Sequence, residues 1–242
     1  MNVVFPDWPL PDGVRLAWTQ RTGGVSSAPF DRFNVAHHVG DDAAAVDANR
    51  QQLLTSLPGC TEIRWLSQVH GTDIKDVRLS DNGEAADAAL AVEPGLAACV
   101  MTADCLPVFF WQQDGRQVAV AHAGWRGLAG GVLANTLAQF DDPATVYCGL
   151  GPAIGPGAFE VGADVVEAFA GWPQAEAAFH ANDKAGKWLA DLPALAAAWL
   201  QQAGVAKVYF SGDCTFVQAE HYFSYRRDGQ TGRMANLIWI EG

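Results

Sequence analysis

Two residues able to bind a metal or to act together in catalysis lie at the ends of a predicted hairpin in TADCLPVFFWQQDGRQVAVAHAGWRG, residues 102–127. Two apolar runs flank Asp114 and Gly115, a pair typical of a tight hairpin turn. A two-residue turn pairs the strands so that Pro107 lies opposite His122. Cys105 is then one diagonal step from His122.

The alternation of side chains along a strand predicts Cys105 and His122 on the same face of this hairpin. Diagonal neighbours across two strands lie about 7 to 8 Å apart. At that separation a thiolate and an imidazole can share one metal ion. They can equally form a nucleophile and its general base. A four-residue loop would preserve this register, whereas a bulge would not. Asp104 falls on the opposite face, where we expect it to hold the turn.

A third candidate ligand, His70, occurs in WLSQVHGTD at the end of another strand-like run, and Gly71 follows it. Two His and one Cys leave a fourth coordination position open, which is typical of a catalytic metal site rather than a structural one. The separations of 35 and 17 residues match no regular metal motif. The predicted site therefore depends on how the fold brings the three side chains together.

The elements that would position these side chains do not alternate regularly between strand and helix. This order favours an α+β fold, one domain over residues 1–242 with antiparallel or mixed sheets flanked by helices, over a doubly wound parallel sheet. Strand-like runs are Val14–Thr19, Ile63–Val69, Leu96–Thr102, Leu106–Gln112, Gln117–Ala123, Thr145–Leu150, Lys207–Ser211 and Leu237–Ile240. Helical patterns begin at Asp191, at Asp41 or Asp42, and at Leu128, and they end before Gly204, near Leu57 and near Phe140.

The composition limits the class of ligand. Apolar residues make up 50% of the chain and charged residues 17%, which excludes a disordered chain. The formal charge of −12 argues against nucleic acid or an anionic membrane as a partner. It leaves open a small neutral ligand, or an anion held by a few local Arg side chains. The five Cys are scattered without a CxxC pair, and no apolar run could span a bilayer, so we expect a cytoplasmic protein.

A series of motifs in this chain resembles those of the YfiH family, also called the polyphenol oxidase laccase-domain, purine nucleoside phosphorylase or peptidoglycan editing factor family. The motifs are SQVHG, TADCLPV, AHAGWRG, GPAIG with EVG, GDCT and FSYRRDGQTGRMA, in that order. The resemblance covers nearly the whole chain, from TQRTGGVS to the C-terminus. It implies a YfiH-like (CNF1-like) α+β architecture.

The resemblance also implies a zinc site on His70, Cys105 and His122, the three candidates identified above from the residues themselves. The implied reactions are phosphorolysis of adenosine, inosine, guanosine and methylthioadenosine, and deamination of adenosine. Small molecules, a purine nucleoside and phosphate, are therefore the expected partners of a monomer or small homo-oligomer. Asp87 matches the family's "ADA" motif and is the candidate proton shuttle for deamination.

Four further residues are candidates for substrate binding. Phosphorolysis needs hydrogen-bond donors for phosphate, and Arg21 in a Gly-rich segment and Arg126 at a predicted helix start could supply them. Asn34 and Gln68 carry amides suited to ribose hydroxyls or purine edges. Each of the four could instead serve the fold, the Arg side chains by pairing with carboxylates and the amides by stabilising turns.

Three other functions compete with this prediction. A multicopper oxidase needs far more histidines than the six present, so copper on the His-Cys-His set would support only a secondary polyphenol oxidase activity. A cysteine amidase acting on a peptidoglycan precursor would use Cys105 as nucleophile and His122 as base. A module that senses a nucleotide or metal without chemistry is the third alternative.

Overall fold

A computed structural model describes residues 3–242, so the first two residues of the predicted domain lie outside the described part. The strands are β1 Val3–Val4, β2 Val14–Thr19, β3 Glu62–Arg64, β4 Ile74–Asp76, β5 Ala88–Ala91, β6 Leu96–Thr102, β7 Leu106–Gln112, β8 Val118–Ala123, β9 Val146–Leu150, β10 Glu160–Val161, β11 Phe179–Ala181, β12 Trp188–Ala190, β13 Lys207–Phe210 and β14 Met234–Ile240. The helices are α1 Ala43–Thr55, α2 Trp125–Gly130, α3 Val132–Leu137, α4 Ala163–Ala168, α5 Ala175–Ala178, α6 Leu192–Gln202 and α7 Tyr225–Asp228, with short 3-10 turns at His37–Val39 and Pro143–Thr145.

The strands form mixed sheets. One sheet has the order β1-β2-β14-β6-β3, another has β13-β9-β7-β8-β5-β4, and a small one has β10-β12-β11. Most neighbouring strands are antiparallel, while β3–β6, β4–β5 and β9–β13 are parallel pairs. The predicted α+β class with antiparallel or mixed sheets and flanking helices is confirmed. The domain limits of 1–242 stay a prediction.

The β7–β8 hairpin has the register that the sequence predicts, with Pro107 opposite His122. Its turn is longer than two residues: Gln112 and Gln117 close it through a hydrogen bond of 3.0 Å. Gly115 adopts a φ of 73°, which a residue with a side chain rarely takes. Because the loop gains one residue on each side, the pairing farther along the strands is unchanged.

Both faces of this hairpin are buried, which explains its nearly continuous apolar sequence. One face packs under helices α2, α3 and α6, and the other packs against the five-stranded sheet. His122 shares the second face with Phe109 and Val120, at the end of the hairpin away from the turn. The residues on the helix-covered face include Val108, Phe110, Ala119 and Ala121.

Helix predictions succeeded where end signals were clear. Helix α6 begins after Asp191, whose carboxylate accepts a hydrogen bond from the Ala194 N–H, and it contains Pro193 in its first turn. The predicted helix from Leu128 to Phe140 is instead two short helices, because Gly131 adopts a φ of 100° between α2 and α3. None of the helices in residues 3–242 is both long and apolar enough to cross a membrane.

Candidate metal centre

His70, Cys105 and His122 meet at one point, although they are far apart in sequence. One ligand atom from each lies within 4.8 Å of the others. The Cys105 Sγ and the His70 Nε2 are 3.9 Å apart, and the two imidazole centroids are 4.7 Å apart. In residues 3–242 this is the one group of three or more His, Cys, Asp or Glu side chains placed to hold a metal.

The backbone at His70 is held in a conformation that is rare for a residue with a side chain. Its φ is 58°, in the left-handed region. The Asp87 carboxylate accepts hydrogen bonds from the N–H groups of Val69, His70 and Gly71, at 3.1, 2.9 and 2.6 Å. Hydrogen bonds to a charged acceptor are strong, so they offset the strain and fix the turn that presents the imidazole.

Asp87 also orients the second imidazole of the group. Its Oδ1 lies 2.8 Å from the His122 Nδ1, and its carbonyl oxygen accepts the His122 N–H at 2.7 Å. With Nδ1 occupied, Nε2 is the nitrogen left to face Cys105. Metal-binding His side chains usually have such a partner on their other nitrogen. One buried carboxylate therefore positions both histidines.

The thiol and the buried imidazole shift each other's ionisation. Burial works to raise the pKa of Cys105, but His122 and His70 lower it to about 6. Burial works to lower the pKa of His122, but Cys105 and Asp87 raise it to about 9. The group therefore favours a thiolate at neutral pH, which is the form that binds metals and attacks electrophiles.

The turn before Cys105 is fixed by a second buried carboxylate. Asp104 has a φ of 95°, and its oxygens accept hydrogen bonds from the Thr215 Oγ1 and the Arg226 N–H, both at 2.7 Å. Asp104 thus links the start of β7 to the C-terminal segment. It holds the turn before Cys105, as expected from its position on the opposite face of the strand. This anchor sets the position from which the Cys105 side chain leaves the backbone.

Gly124 allows the three side chains to approach. A Cβ at this position would lie 3.0 Å from the His70 Cδ2 and 3.1 Å from the Cys105 Sγ. These separations are tighter than ordinary van der Waals contacts. The glycine of AHAGW is therefore required by the close approach of the backbone to the group.

The group opens onto a pocket of about 340 Å³, within the roughly 300 to 1,000 Å³ usual for small-ligand sites. Asp and Glu are absent from its lining among the described residues. The lining residues are His38, Gln68, His70, Met101, Thr102, Ala103, Cys105, His122, Tyr225 and Arg233.

The donor set fits a metal ion. Two imidazole nitrogens and a sulfur with thiolate character suit zinc, and the same donors also bind copper. Three protein ligands beside an open pocket leave a coordination position for a reactant. The hydrogen bond between the Asp87 carboxylate and the His122 Nδ1 fixes the ring orientation, as the outer partners of metal-binding imidazoles usually do.

The placement of Asp87 does not support the predicted proton shuttle. Its side chain is fully buried, and its two carboxylate oxygens accept hydrogen bonds from three backbone N–H groups and one imidazole. Asp87 is also absent from the pocket lining. We therefore assign it a positioning role rather than direct proton transfer to a substrate.

Of the four predicted substrate-binding residues, Gln68 alone lines the pocket. Its amide pairs with the Met101 backbone in both directions, at 2.8 and 2.6 Å, and so holds the end of β6 beside the site. Arg126 is not in the lining; its guanidinium lies 4.2 Å from the centre of the Trp125 ring. The prediction for Arg126 is not supported, because the short helix α2 carries it outside the pocket.

Arg21 and its Gly-rich segment lie outside this pocket too. The Arg21 guanidinium donates hydrogen bonds to the carbonyls of Asp31 and Ala219 and lies 3.8 Å from carboxylate oxygens of Asp31 and Asp228. It also sits over the Phe223 ring. Its charge is thus used within the protein, which does not support the predicted phosphate cradle.

Asn34 is a buried structural residue. Its amide nitrogen donates to the Ala36 carbonyl and the Asp41 carboxylate, and its oxygen accepts from the Ala36 and Arg233 N–H groups. No hydrogen-bonding capacity is left for a ribose or purine, so the predicted role in substrate binding is not supported.

Six of the ten lining residues were not predicted as site residues: three from the end of β6 and the residue after it, Met101, Thr102 and Ala103, and three from distant segments, His38, Tyr225 and Arg233. His38 comes from the 3-10 turn, Tyr225 from α7, and Arg233 from the residue before β14. The C-terminal motif FSYRRDGQTGRMA contains two of them, so its richness in polar residues was a signal. Nothing in the sequence spacing of the three distant residues relates them to Cys105 or His122.

These observations define a class: an α+β protein whose two main sheets place an open His-Cys-His group at a pocket. The sequence matches the family model described as "Multi-copper polyphenol oxidoreductase laccase" over residues 15–241. The chain belongs to this family, the YfiH family that its motifs indicate.

Its relatives are similar over almost their full lengths. A Pseudomonas aeruginosa protein named purine nucleoside phosphorylase is 46% identical over 240 residues, covering 98% of this chain and 97% of the relative. Escherichia coli purine nucleoside phosphorylase YfiH is 45% identical over 244 residues, covering 99% of each. Among solved structures, Neisseria meningitidis protein NMB0706 matches with a TM-score of 0.92 at 45% identity over 100% of both chains. YlmD from Geobacillus stearothermophilus has a TM-score of 0.87 at 32% identity, covering 96% of this chain and 93% of its own.

Proposed function

We propose that this chain is a metal-dependent purine nucleoside enzyme in which His70, Cys105 and His122 hold zinc. The observation that carries the proposal is the group itself, three N and S ligand atoms within 4.8 Å of one another beside an open pocket. The purine nucleoside phosphorylase names of the relatives support the substrate class. A cytoplasmic location and a monomer or small oligomer stay predictions.

Each residue of the site has a separate task in this proposal. Asp87 holds the His70 turn and the His122 ring, and Gly124 leaves room for the three donors to meet. Gln68 holds the Met101 backbone at the pocket wall. When bound, zinc supplies Lewis-acid chemistry that polarises the groups it contacts.

Phosphorolysis ranks ahead of deamination for this pocket. Deamination of adenosine adds water at C6 and releases ammonia, so a group near the purine must transfer protons. The described pocket lining offers no carboxylate for that task, and Asp87 is engaged elsewhere. Adenosine, inosine, guanosine and methylthioadenosine are the proposed substrates for phosphorolysis, with adenosine deamination as a second reaction.

A four-copper oxidase mechanism is not proposed, despite the description of the family. Such an enzyme needs a mononuclear copper and a trinuclear cluster. The chain has six His, and residues 3–242 bring together one group of three metal-ligating side chains. Copper bound to that group would support at most a secondary oxidation of polyphenols.

The test is nucleoside turnover by protein purified without added copper, with its metal content measured first. We expect about one zinc per chain, phosphate-dependent release of free purine, loss of turnover on chelation, and recovery on adding zinc. Full turnover after complete removal of the metal would overturn the proposal.

A cysteine amidase is the second candidate, because Cys105, His122 and Asp87 lie in the order of a nucleophile, its base and the group that orients the base. In this alternative the metal-free protein hydrolyses an amide of the peptidoglycan-precursor class.

Alkylation separates the two candidates. In metal-free protein, iodoacetamide should react with Cys105 at pH 7, with a rate that rises through about pH 6 and then levels. Cys60 is an internal control, since burial raises its pKa to about 11. If the metal-dependent enzyme is the correct candidate, bound metal protects Cys105 from iodoacetamide in the protein as purified. Rapid labelling of Cys105 in the purified protein, together with amide hydrolysis that chelation does not change, favours the amidase.

A further inference from the structure

The charge of the pocket differs from that of the protein around it. The chain carries 27 Asp and Glu against 15 Lys and Arg. The described pocket lining nevertheless contains no carboxylate, and it contains Arg233 together with His38. An arginine facing a small cavity without a carboxylate is suited to an anion that arrives with the ligand.

The hydrogen-bond acceptors that hold Arg233 in place are backbone carbonyls, so within the described residues its guanidinium has no carboxylate partner. One terminal nitrogen donates to the carbonyls of Thr231 and Gly232, at 2.9 and 3.0 Å. In residues 3–242, no hydrogen bond to the protein uses Nε or the other terminal nitrogen. These two N–H groups form the side edge of the guanidinium, which matches two oxygens of a phosphate.

Six of the other ten arginines have a carboxylate oxygen within 4.0 Å, whereas within the described residues Arg233 has none. The negative charges that act on Arg233 are first that of Cys105, one of the three metal-ligand candidates, and then that of Asp104, whose two oxygens accept hydrogen bonds from Thr215 and Arg226. The arginines with a carboxylate oxygen within 4.0 Å are Arg15, Arg21, Arg64, Arg78, Arg116 and Arg227.

Arg50 adds to the positive character of this wall, and His38 adds a neutral hydrogen-bond donor. Burial and then the charges of Arg233 and Arg50 lower the pKa of His38, so at neutral pH it is an uncharged imidazole with one N–H to donate. Arg50 lies behind the wall, stacked 3.9 Å from the centre of the Trp65 ring and directed at the Met101 sulfur. Met101 itself lines the pocket.

We propose that Arg233, with His38 beside it, forms an oxyanion subsite for inorganic phosphate, the second substrate of phosphorolysis. The inference rests on the proposed function and replaces the predicted phosphate contacts of Arg21 and Arg126. In the reaction, a phosphate oxygen bonds to C1′ as the C1′–N9 bond breaks. The N9 electron pair leaves with the purine, and the proton of hydrogen phosphate passes to the purine nitrogen. The products are ribose 1-phosphate and the free base.

The test compares wild type with Arg233→Gln, Arg233→Lys and a matched control, Arg116→Gln. Arg116 is 86% exposed in its side chain, in the β7–β8 turn far from Cys105 and His122. Calorimetric titration with inorganic phosphate gives the affinity directly, and steady-state kinetics give separate KM values for phosphate and nucleoside. Circular dichroism and metal content confirm that each variant is folded and loaded.

We expect Arg233→Gln to weaken phosphate binding and raise the KM for phosphate roughly 10- to 100-fold, the size of a lost charged hydrogen-bonding pair. Arg233→Lys keeps the charge but not the fork, so its effect should be smaller. If Arg233→Gln does not fold, the Lys variant carries the test. Arg116→Gln should match wild type, and the KM for nucleoside should change little.

The outcomes separate the subsite from the proposed function. Phosphate binding that depends on Arg233 without any nucleoside cleavage would support the subsite and overturn the function. Phosphorolysis in which Arg233→Gln and Arg233→Lys change only the KM for nucleoside would support the function and overturn the subsite. Cleavage of a nucleoside monophosphate without added phosphate, weakened by Arg233→Gln, would assign the subsite to a nucleotide phosphoryl group and overturn its assignment to inorganic phosphate.

Discussion

Two regions of this molecule contain residue types suited to binding a nucleoside and phosphate, and they use them differently. In the metal-centre pocket, the ligand atoms of His70, Cys105 and His122 lie within 4.8 Å of one another at the pocket wall. In the segment from Arg21 to Asn34, the two side chains predicted to bind substrate are instead bonded within the protein. Arg21 binds backbone carbonyls and carboxylates, and the amide of Asn34 has four hydrogen-bond partners.

The difference shows that residue type alone does not identify a functional group. A side chain is available to a ligand when its donors or acceptors face a cavity without internal partners. It is structural when the fold satisfies all of them, because an unsatisfied buried polar group is costly. Asp87 belongs to the structural kind although it lies next to the site.

The largest expected effect comes from removing a ligand. Cys105→Ala should weaken metal binding by more than about 100-fold, since losing only a supporting residue costs about 10- to 100-fold. Turnover should fall with the metal. Metal content by mass spectrometry and nucleoside cleavage check the expectation.

Cys214→Ala is the matched control for that substitution. Cys214 accepts the Gly155 N–H in a separate pocket, away from His70 and His122. Its variant should keep both the metal and activity. Equal losses of metal in the two variants would show that Cys105 is not a metal ligand.

A smaller effect is expected for Asp87→Asn, which keeps the shape of the side chain but replaces one acceptor oxygen with a donor. The new NH₂ would face backbone N–H groups of residues 69–71 or the His122 ring. We expect metal affinity to fall about 10- to 100-fold, measured by competition with a chelating dye.

Asp213→Asn serves as the control for the carboxylate. Asp213 accepts the Tyr222 hydroxyl outside the metal-centre pocket, so this variant should bind metal as wild type does. Unchanged metal affinity in Asp87→Asn would show that Asp87 does not position the two metal-binding histidines.

The smallest effect on chemistry is expected from Asn49 of α1, which holds the Arg21–Asn34 segment through hydrogen bonds. Asn49 is fully buried; it accepts the Val25 N–H and donates to Ser26 and to the carbonyls of Arg32 and Asn34. Asn49→Ala should lower the free energy of unfolding by about 2 to 4 kcal/mol, because several buried hydrogen bonds are lost. Urea denaturation measures this change.

The folded Asn49→Ala protein should keep its metal and its turnover. Exposed Asn135, with a single hydrogen bond to the Thr72 carbonyl, is the control, and Asn135→Ala should change stability by less than about 0.5 kcal/mol. A loss of turnover in Asn49→Ala with stability unchanged would give this segment a functional role.

Local patterns predicted the parts of the fold whose causes are local. The hairpin register follows from its turn and from the alternation of its strands, so Cys105 and His122 could be related from the sequence. Helix α6 follows from its Asp cap and early Pro. The predicted strand over Ile63–Val69 was too long: β3 ends at Arg64, and beyond it Ser67 forms an isolated bridge with Ala85 before the His70 turn that Asp87 holds.

The sequence by itself determined the ligand types, the hairpin that carries two of them, and an acidic surface unsuited to polyanions. His70, which lies outside the hairpin, was a candidate from its position at the end of a strand-like run, and the family motifs supported it. Only the tertiary structure decided which carboxylates are used up in hydrogen bonds within the protein. It also decided which arginine faces the pocket without a carboxylate beside it. The physical reason is that hydrogen-bond satisfaction is a non-local property: whether Arg233, Arg21 or Asp87 is available depends on strands and turns from distant parts of the chain.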